Sequence, residues 1–367
     1  MSVTLREREF ESFFEVPFAV YGADTPHVSP LKGDLKAALG PRNPLFRDWS
    51  ELTYWTAHRQ GAPVGRITAH IHAESNDLHG EARGCFGFFD CADDPDAARL
   101  LLGAAEDWCR ARGMTRLVGN FNLTAMQQIG VVTEGFVHAP YLDQVWNPAH
   151  IPALLKANGF TPEFPMTTFV LDLDTAPEFR VGPKQEAVLD DPDYAFRPIT
   201  RRNLASCLDD VRVILNASFA ENPMFVPLTK AEFDFQVAGL KFLLDPRLSA
   251  IVHHRGRPAA CVVAIPDANP LLKRIGSRLG LHMIWPYLRF RITNRRAVAI
   301  IAGVIPELQN TGVTPVLLAQ ILSAMKTAGF RTMANTWIAD ENVKSLAMPQ
   351  KLGSTRQHRV HLFAKDL

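Results

Sequence analysis

The stretch GVIPELQNTGVTPVLLAQILSAMKTAG, residues 303–329, reads as the end of an apolar strand, a polar loop, and an amphipathic helix closed by glycine. A second segment of the same 27-residue length, GFFDCADDPDAARLLLGAAEDWCRARG (87–113), has the same order. Self-similarity shows which segments correspond before any motif is invoked. Further along, GFTPEFPMTTFVLDL (159–173) and GSTRQHRVHLFAKDL (353–367) match in length, share Gly and Thr at the first and third places, and end in Asp-Leu. Upstream, HRQGAPVGRITAHI (58–71) and HRGRPAACVVAI (254–265) each read as a hairpin with a glycine in the turn. The chain is therefore expected to be a duplication, with domains at 1–175 and 190–367. Segment 174–194, rich in Pro, Asp and Glu without apolar periodicity, is expected to be the linker. Each half should be an α/β domain of the α+β type: a mixed, mostly antiparallel sheet flanked by helices.

Composition narrows the function classes. With 367 residues, 47% of them hydrophobic, the chain can fill two cores. Its 39 basic and 38 acidic residues give no global field for nucleic acid. Five cysteines without metal or disulfide spacing point to a reduced, cytoplasmic protein. Neither a signal peptide nor a membrane-spanning run is indicated, so membrane contact is expected to be peripheral.

The loop in the second half carries the chemistry. LQNTGVT opens a helix with Pro315 in its first turn, which aims backbone N–H groups and the positive end of the helix dipole at an anion such as pyrophosphate. The spacing Gln309-x-x-Gly312-x-Thr314 resembles the pyrophosphate loop of the GNAT acyltransferase superfamily. Asn342-Val-Lys-Ser-Leu-Ala-Met-Pro-Gln-Lys-Leu-Gly353 is similar to that family's downstream helix. The resemblance implies two tandem GNAT-like domains, with acyl-CoA as co-substrate held by Gln309, Asn310, Thr311, Gly312, Val313 and Thr314, and with Asn342 beside the pantetheine. Two departures stand out. Thr314 replaces a small residue, and Pro349 stands where many relatives place a tyrosine that protonates the leaving thiolate.

The first half offers the loop CADDPDAA (91–98) at the equivalent place, where Asp93 and Asp96 fall opposite Gln309 and Gly312 in an ungapped register. Carboxylates there satisfy the helix dipole themselves and repel pyrophosphate, so this half is expected to keep the fold without binding acyl-CoA. Direct acyl transfer to an amine needs a base and an oxyanion donor rather than an enzyme nucleophile. Candidates for proton work are Glu221 and Glu232, which bracket NPMFVPLT, and His282 and Tyr287. The pair His253-His254 has no accompanying metal spacing, so no metal is expected.

Segment 271–296, LLKRIGSRLGLHMIWPYLRFRITNRR, contains seven Lys or Arg and no acid, and has no counterpart of similar character in the first half. Such a basic, aromatic, amphipathic insertion suits a lid over an amphiphilic ligand or contact with an anionic membrane. Its placement, with NPLFRDWSELTYWTAHRQGAPVGRI (43–67), makes the chain look like the branch of GNAT relatives that includes bacterial ceramide synthases. That resemblance implies transfer of a long acyl chain from acyl-CoA to the amine of a sphingoid base such as 3-oxosphinganine. Two other readings are acetylation of a small polar amine, and a tandem relative that is tRNA-dependent or non-catalytic.

Overall fold

The computed structural model describes residues 2–124, 126, 128–177, 182–200, 202–222, 224–239 and 243–367. The first half runs β1 (Val3–Glu7), α1 (Phe10–Tyr21), α2 (Lys32–Ala38), β2 (Leu52–Arg59), β3 (Ala62–His70), α3 (Ala73–His79), β4 (Arg83–Cys91), α4 (Pro95–Arg110), β5 (Arg116–Gly119), β6 (Val131–Glu134), α5 (His150–Ala157) and β7 (Thr161–Asp172). The second runs α6 (Pro183–Asp190), β8 (Tyr194–Pro198), α7 (Leu204–Ser218), α8 (Lys230–Gln236), β9 (Ala250–His254), β10 (Arg257–Pro266), α9 (Asn269–Arg274), α10 (Ile284–Thr293), β11 (Arg296–Val304), α11 (Val313–Thr327), β12 (Thr332–Asn335), β13 (Ile338–Ala339), α12 (Val343–Lys351) and β14 (Thr355–Asp366).

Both expected hairpins form. Gln60-Gly61 and Arg255-Gly256 take positive φ, 55° and 81° in the first pair and 51° and 74° in the second, the backbone of a two-residue primed turn that matches strand twist. The long helices of the repeat also form, each ended by a left-handed glycine, Gly113 after α4 and Gly329 after α11. α4 buries Ala97, Ala98, Leu101, Leu102, Ala105 and Cys109 against one face of the sheet. α11 buries Val316, Leu317, Ile321, Leu322 and Met325 likewise. Each leucine so buried contributes about 1.5–3 kcal/mol. The opposite face is covered by α1 and α2 in the first half and by α7 and α8 in the second.

The halves share one 14-stranded sheet, ordered β1-β2-β3-β4-β5-β14-β7-β12-β11-β10-β9-β8, with β6 beside β14 and β13 beside β7. The last strand of each half is exchanged into the other. β7 pairs with β12 through Asp172↔Thr332, and β14 pairs with β5 through Asp366↔Arg116. The two exchanged strands then pair with each other from Thr355↔Val170 to Ala364↔Thr161. These are the 15-residue segments whose similarity the sequence displays, and a pseudo-twofold axis passes between them.

Two expectations need amendment. The segment read as a linker contains a helix: Pro183 starts α6, the Gln185 side chain accepts from the Gly182 N–H at 3.0 Å, and Val188 is buried in the same cluster as the α11 side chains. The ungapped register also fails locally, because the connection between parallel-strand partner and long helix spans residues 305–312 in the second half and only 92–94 in the first. The equal overall length arises because the first half has the longer remaining strand and helix.

Candidate active site

In each half one parallel pair runs side by side and then splays. β4 and β5 stay paired from Arg83↔Arg116 to Phe86↔Gly119; β11 and β12 from Arg296↔Thr332 to Ala299↔Asn335. Structurally, Gly87 to Cys91 therefore correspond to Ile300 to Val304. Beyond this point the two halves differ.

In the first half the edge of the splay is engaged by side chains, beside a cavity lined by His27, Arg66, Phe89, Asp90, Asn122 and Gln128. Asn122 Oδ1 accepts from the Phe88 N–H at 2.8 Å and Asn120 Oδ1 from the Phe89 N–H at 3.2 Å, so side chains occupy the edge a ligand would use. Behind them Arg66 Nε donates to Asp90 Oδ2 at 2.7 Å and Tyr21 Oη to Asp90 Oδ1 at 2.9 Å. Burial and the adjacent Asp90 push the Tyr21 phenol well above its ordinary pKa, so it remains a donor. The helix N-terminus is occupied too: Asp94 Oδ1 accepts from the N–H groups of Asp96 and Ala97, both at 3.1 Å, while Arg59 grips the same carboxylate.

In the second half it stays open. Cys261 and Gly303 stand where Arg66 and Asp90 form the buried pair. Asn335 turns away from β11, its Oδ1 accepting from the Phe169 N–H at 2.8 Å. Although β11 lies inside the sheet, Ala302 is exposed and Ile300, Ile301, Gly303 and Val304 are only half-buried. An interior strand that reaches solvent marks a groove. At its end Gln309 and Asn310 are exposed, Thr311 Oγ1 donates to the Leu308 carbonyl at 2.7 Å, and Gly312 turns at φ 104° into α11, whose first turn has no side-chain cap. Val313 is buried and Thr314 half-buried, and no side chain caps the N–H groups of the first turn of α11.

The other sequence candidates sit apart. Asn342 caps α12, accepting from the Ser345 N–H at 3.0 Å, and Pro349 lies within that helix. Glu221 is exposed. Glu232 is 5% exposed and engaged in a capping box with Thr229, at 2.6 Å to its hydroxyl. It lies on a seam between the halves, where ligand atoms of His72, Glu74 and Glu232 come within 4.8 Å of one another; burial lowers the His72 imidazole to about 4. His282 is exposed, 3.4 Å from the Ile275 carbonyl, and Tyr287 Oη accepts from Arg291 at 3.3 Å. No hydrogen bond joins any two of these four among the described residues.

One acid in the loop between β6 and α5 escaped the sequence reading. Asp143 has φ 67°, a left-handed backbone uncommon outside glycine, and no hydrogen-bond or ion-pair partner among the described residues. Its neighbours fix its place. The Leu142 side chain packs on the same cluster as Ile300, and Gln144 Nε2 donates to the Asn335 carbonyl at 2.7 Å. Asp143 thus sits between two contacts to the splay point of the second half. Burial raises its carboxyl to about 7, the range in which a base works at neutral pH.

No family model matches the chain. Protein YghO of Escherichia coli is 25% identical over 378 residues, covering 99% of this chain and 94% of that protein. The bacterial ceramide synthase of Caulobacter vibrioides is 26% identical over 380 residues, covering 98% and 95%. Among solved structures, a tandem GNAT protein from the clavulanic acid biosynthesis pathway superposes with a TM-score of 0.59 at 13% identity, covering 100% of this chain and 98% of that one. The chain has the tandem GNAT fold and resembles, along almost its whole length, the bacterial ceramide synthase of Caulobacter vibrioides.

Proposed function

We propose that this protein is an acyl-CoA-dependent N-acyltransferase that moves a long acyl chain onto the amine of a sphingoid-type amphiphile, with its one active groove in the second half. The observation that carries the reading is the asymmetry of the two splays. One has its strand-edge N–H groups taken by Asn120 and Asn122 and its helix capped by Asp94, while the other leaves β11 accessible and the first turn of α11 uncapped. The full-length resemblance to a protein named bacterial ceramide synthase supports the acceptor class.

In this reading the residue 309–314 loop takes the pyrophosphate and the groove along Ile300–Val304 takes the pantetheine. Asp143 removes the proton from the ammonium form of the acceptor. The free amine attacks the thioester carbonyl, the C–N bond forms as the C–S bond breaks, and the second amine proton leaves with the thiol. Pro349 supplies no acid, so the thiolate takes its proton without the tyrosine common elsewhere.

Purified protein incubated with acyl-CoAs from acetyl to palmitoyl and with a sphingoid base, and analysed by mass spectrometry, tests the reading. The expected product is a long-chain amide. Turnover of acetyl-CoA alone, or amide formation from no donor, overturns it.

A further inference from the structure

Twelve large apolar side chains are exposed among the described residues, and six of them, Leu279, Leu281, Ile284, Trp285, Leu288 and Ile292, lie within fourteen consecutive positions. Exposed apolar residues scattered singly are ordinary; a contiguous crest is not. Ile284, Leu288 and Ile292 recur every fourth residue and share one face of α10. The inward face is also apolar, with Phe290 buried beside half-buried Met283 and Tyr287 against Leu31 and Leu142. α10 is therefore apolar on both sides, and only one side is covered by protein.

The crest is held in place. Arg278 donates to both carboxylate oxygens of Glu15 at 2.6 and 2.7 Å and stacks over Phe14 and Phe18; Ser277 Oγ donates to the Ser29 carbonyl at 2.5 Å; Lys273 donates to the Thr25 carbonyl. These bonds fasten the segment to the first half, so its exposed side chains belong to a fixed surface. The charges sort themselves accordingly. Arg278 and Arg296 have carboxylate partners, Glu15 and Asp267; Arg274, Arg289 and Arg295 are exposed with no ion pair among the described residues, and exposed Arg291 feels Asp245, whose carboxylate is paired with Arg247.

We infer that this crest docks the protein on an anionic lipid bilayer. Tryptophan, leucine and isoleucine enter the headgroup boundary while four exposed arginines meet lipid phosphates. An apolar face bordered by an excess of cations complements a surface that is apolar within and negative at its rim; a protein partner would need a matching acidic border. The crest also connects to the groove. Leu142 and Leu243 pack both on the cluster that includes Phe290 and on the one that Ile300 joins. On the acyl-transfer reading, which this route rests on, an amphiphile passes from bilayer to groove along apolar side chains.

The test is flotation of the purified full-length protein with vesicles of phosphatidylcholine alone or mixed with phosphatidylglycerol. Binding is expected to the mixed vesicles and to fall with salt. Trp285→Ser with Leu288→Ser, and separately Arg274, Arg289, Arg291 and Arg295→Gln, should each weaken it about tenfold or more at unchanged melting temperature. Wild-type protein that stays with the soluble fraction, variants that bind like wild type, or a crest-dependent dimer in sedimentation velocity would each overturn the proposal. Activity on a soluble short-chain sphingoid analogue, measured in the same variants, reports on acyl transfer separately: it should remain, whatever the vesicles show.

Discussion

The Lys184 carbonyl oxygen lies 3.2 Å from the position a Cβ on Gly312 would occupy. The helix in the inter-half segment therefore leans on the turn that opens α11. Gly312 also has φ 104°, so any side chain there meets backbone strain and a backbone contact together. Gly312→Ala should cost about 1–3 kcal/mol in urea unfolding, and its effect on acyl-CoA would not isolate binding from folding. Thr314→Asp does isolate it. A carboxylate in the first turn favours the helix by about 0.3–1 kcal/mol but repels pyrophosphate. Calorimetry should show acyl-CoA affinity reduced about tenfold or more, with the melting temperature unchanged or raised.

The first half supplies the reverse experiment. Asp94 caps α4 and is held by Arg59, which keeps its carboxyl below the ordinary range; that stability is present above the unfolded aspartate pKa and fades as pH falls through the folded one. Asp94→Ala should cost about 1–2 kcal/mol. It should not create acyl-CoA binding, because Asn120 and Asn122 still take the Phe88 and Phe89 N–H groups that a pantetheine would need. Detectable binding in this variant would show that charge alone silences this half.

Asp143 sets a pH dependence. Its carboxyl, raised by burial to about 7, is protonated below that value and basic above it, so kcat/KM should rise through pH 7 and level off. Asp143→Asn should lower kcat at least about a hundredfold and leave the acyl-CoA dissociation constant within about twofold. Linkage has the opposite sign. A carboxyl whose folded pKa exceeds its unfolded one contributes stability below pH 4 that is lost as pH rises through 7, so the asparagine variant should be the more stable protein at pH 8. A variant that loses stability at pH 8 and keeps its kcat would assign Asp143 to the architecture.

The sequence displayed what depends on neighbours in the chain. Gln60-Gly61 and Arg255-Gly256 announce their hairpins, Gly113 and Gly329 their helix ends, and the charge of residues 271–296 its solvent side. It concealed what depends on distant partners. β7 and β14 have similar sequences, so apolar patterning fits either strand into either half and cannot reveal their exchange. Asn120 and Asn122 are unremarkable polar residues until β5 ends and leaves Phe88 and Phe89 without partners. Asp143 carries no local signal, since its burial comes from a loop held by Asp267 and Asn335, more than a hundred residues away. The candidates Glu221 and Glu232 bracket NPMFVPLT, and His282 and Tyr287 lie in the insertion, both stretches conspicuous in local pattern, whereas the splay point is not.

Ala302 provides the most direct test of the groove. It lies across from Val262 in the ladder and corresponds to Phe89, which is buried in the first half. Its own exposure, on a strand with neighbours on both sides at its start, means that the space beyond Ala302 is open rather than packed. Ala302→Phe should therefore fill the groove with little cost to folding, since the new ring displaces solvent and no core atoms. Acyl-CoA affinity should fall about tenfold or more while the melting temperature moves by no more than about 2 °C. If long-chain acyl-CoA still binds as in the wild type, the co-substrate runs elsewhere; if the protein unfolds instead, the space around Ala302 is closed.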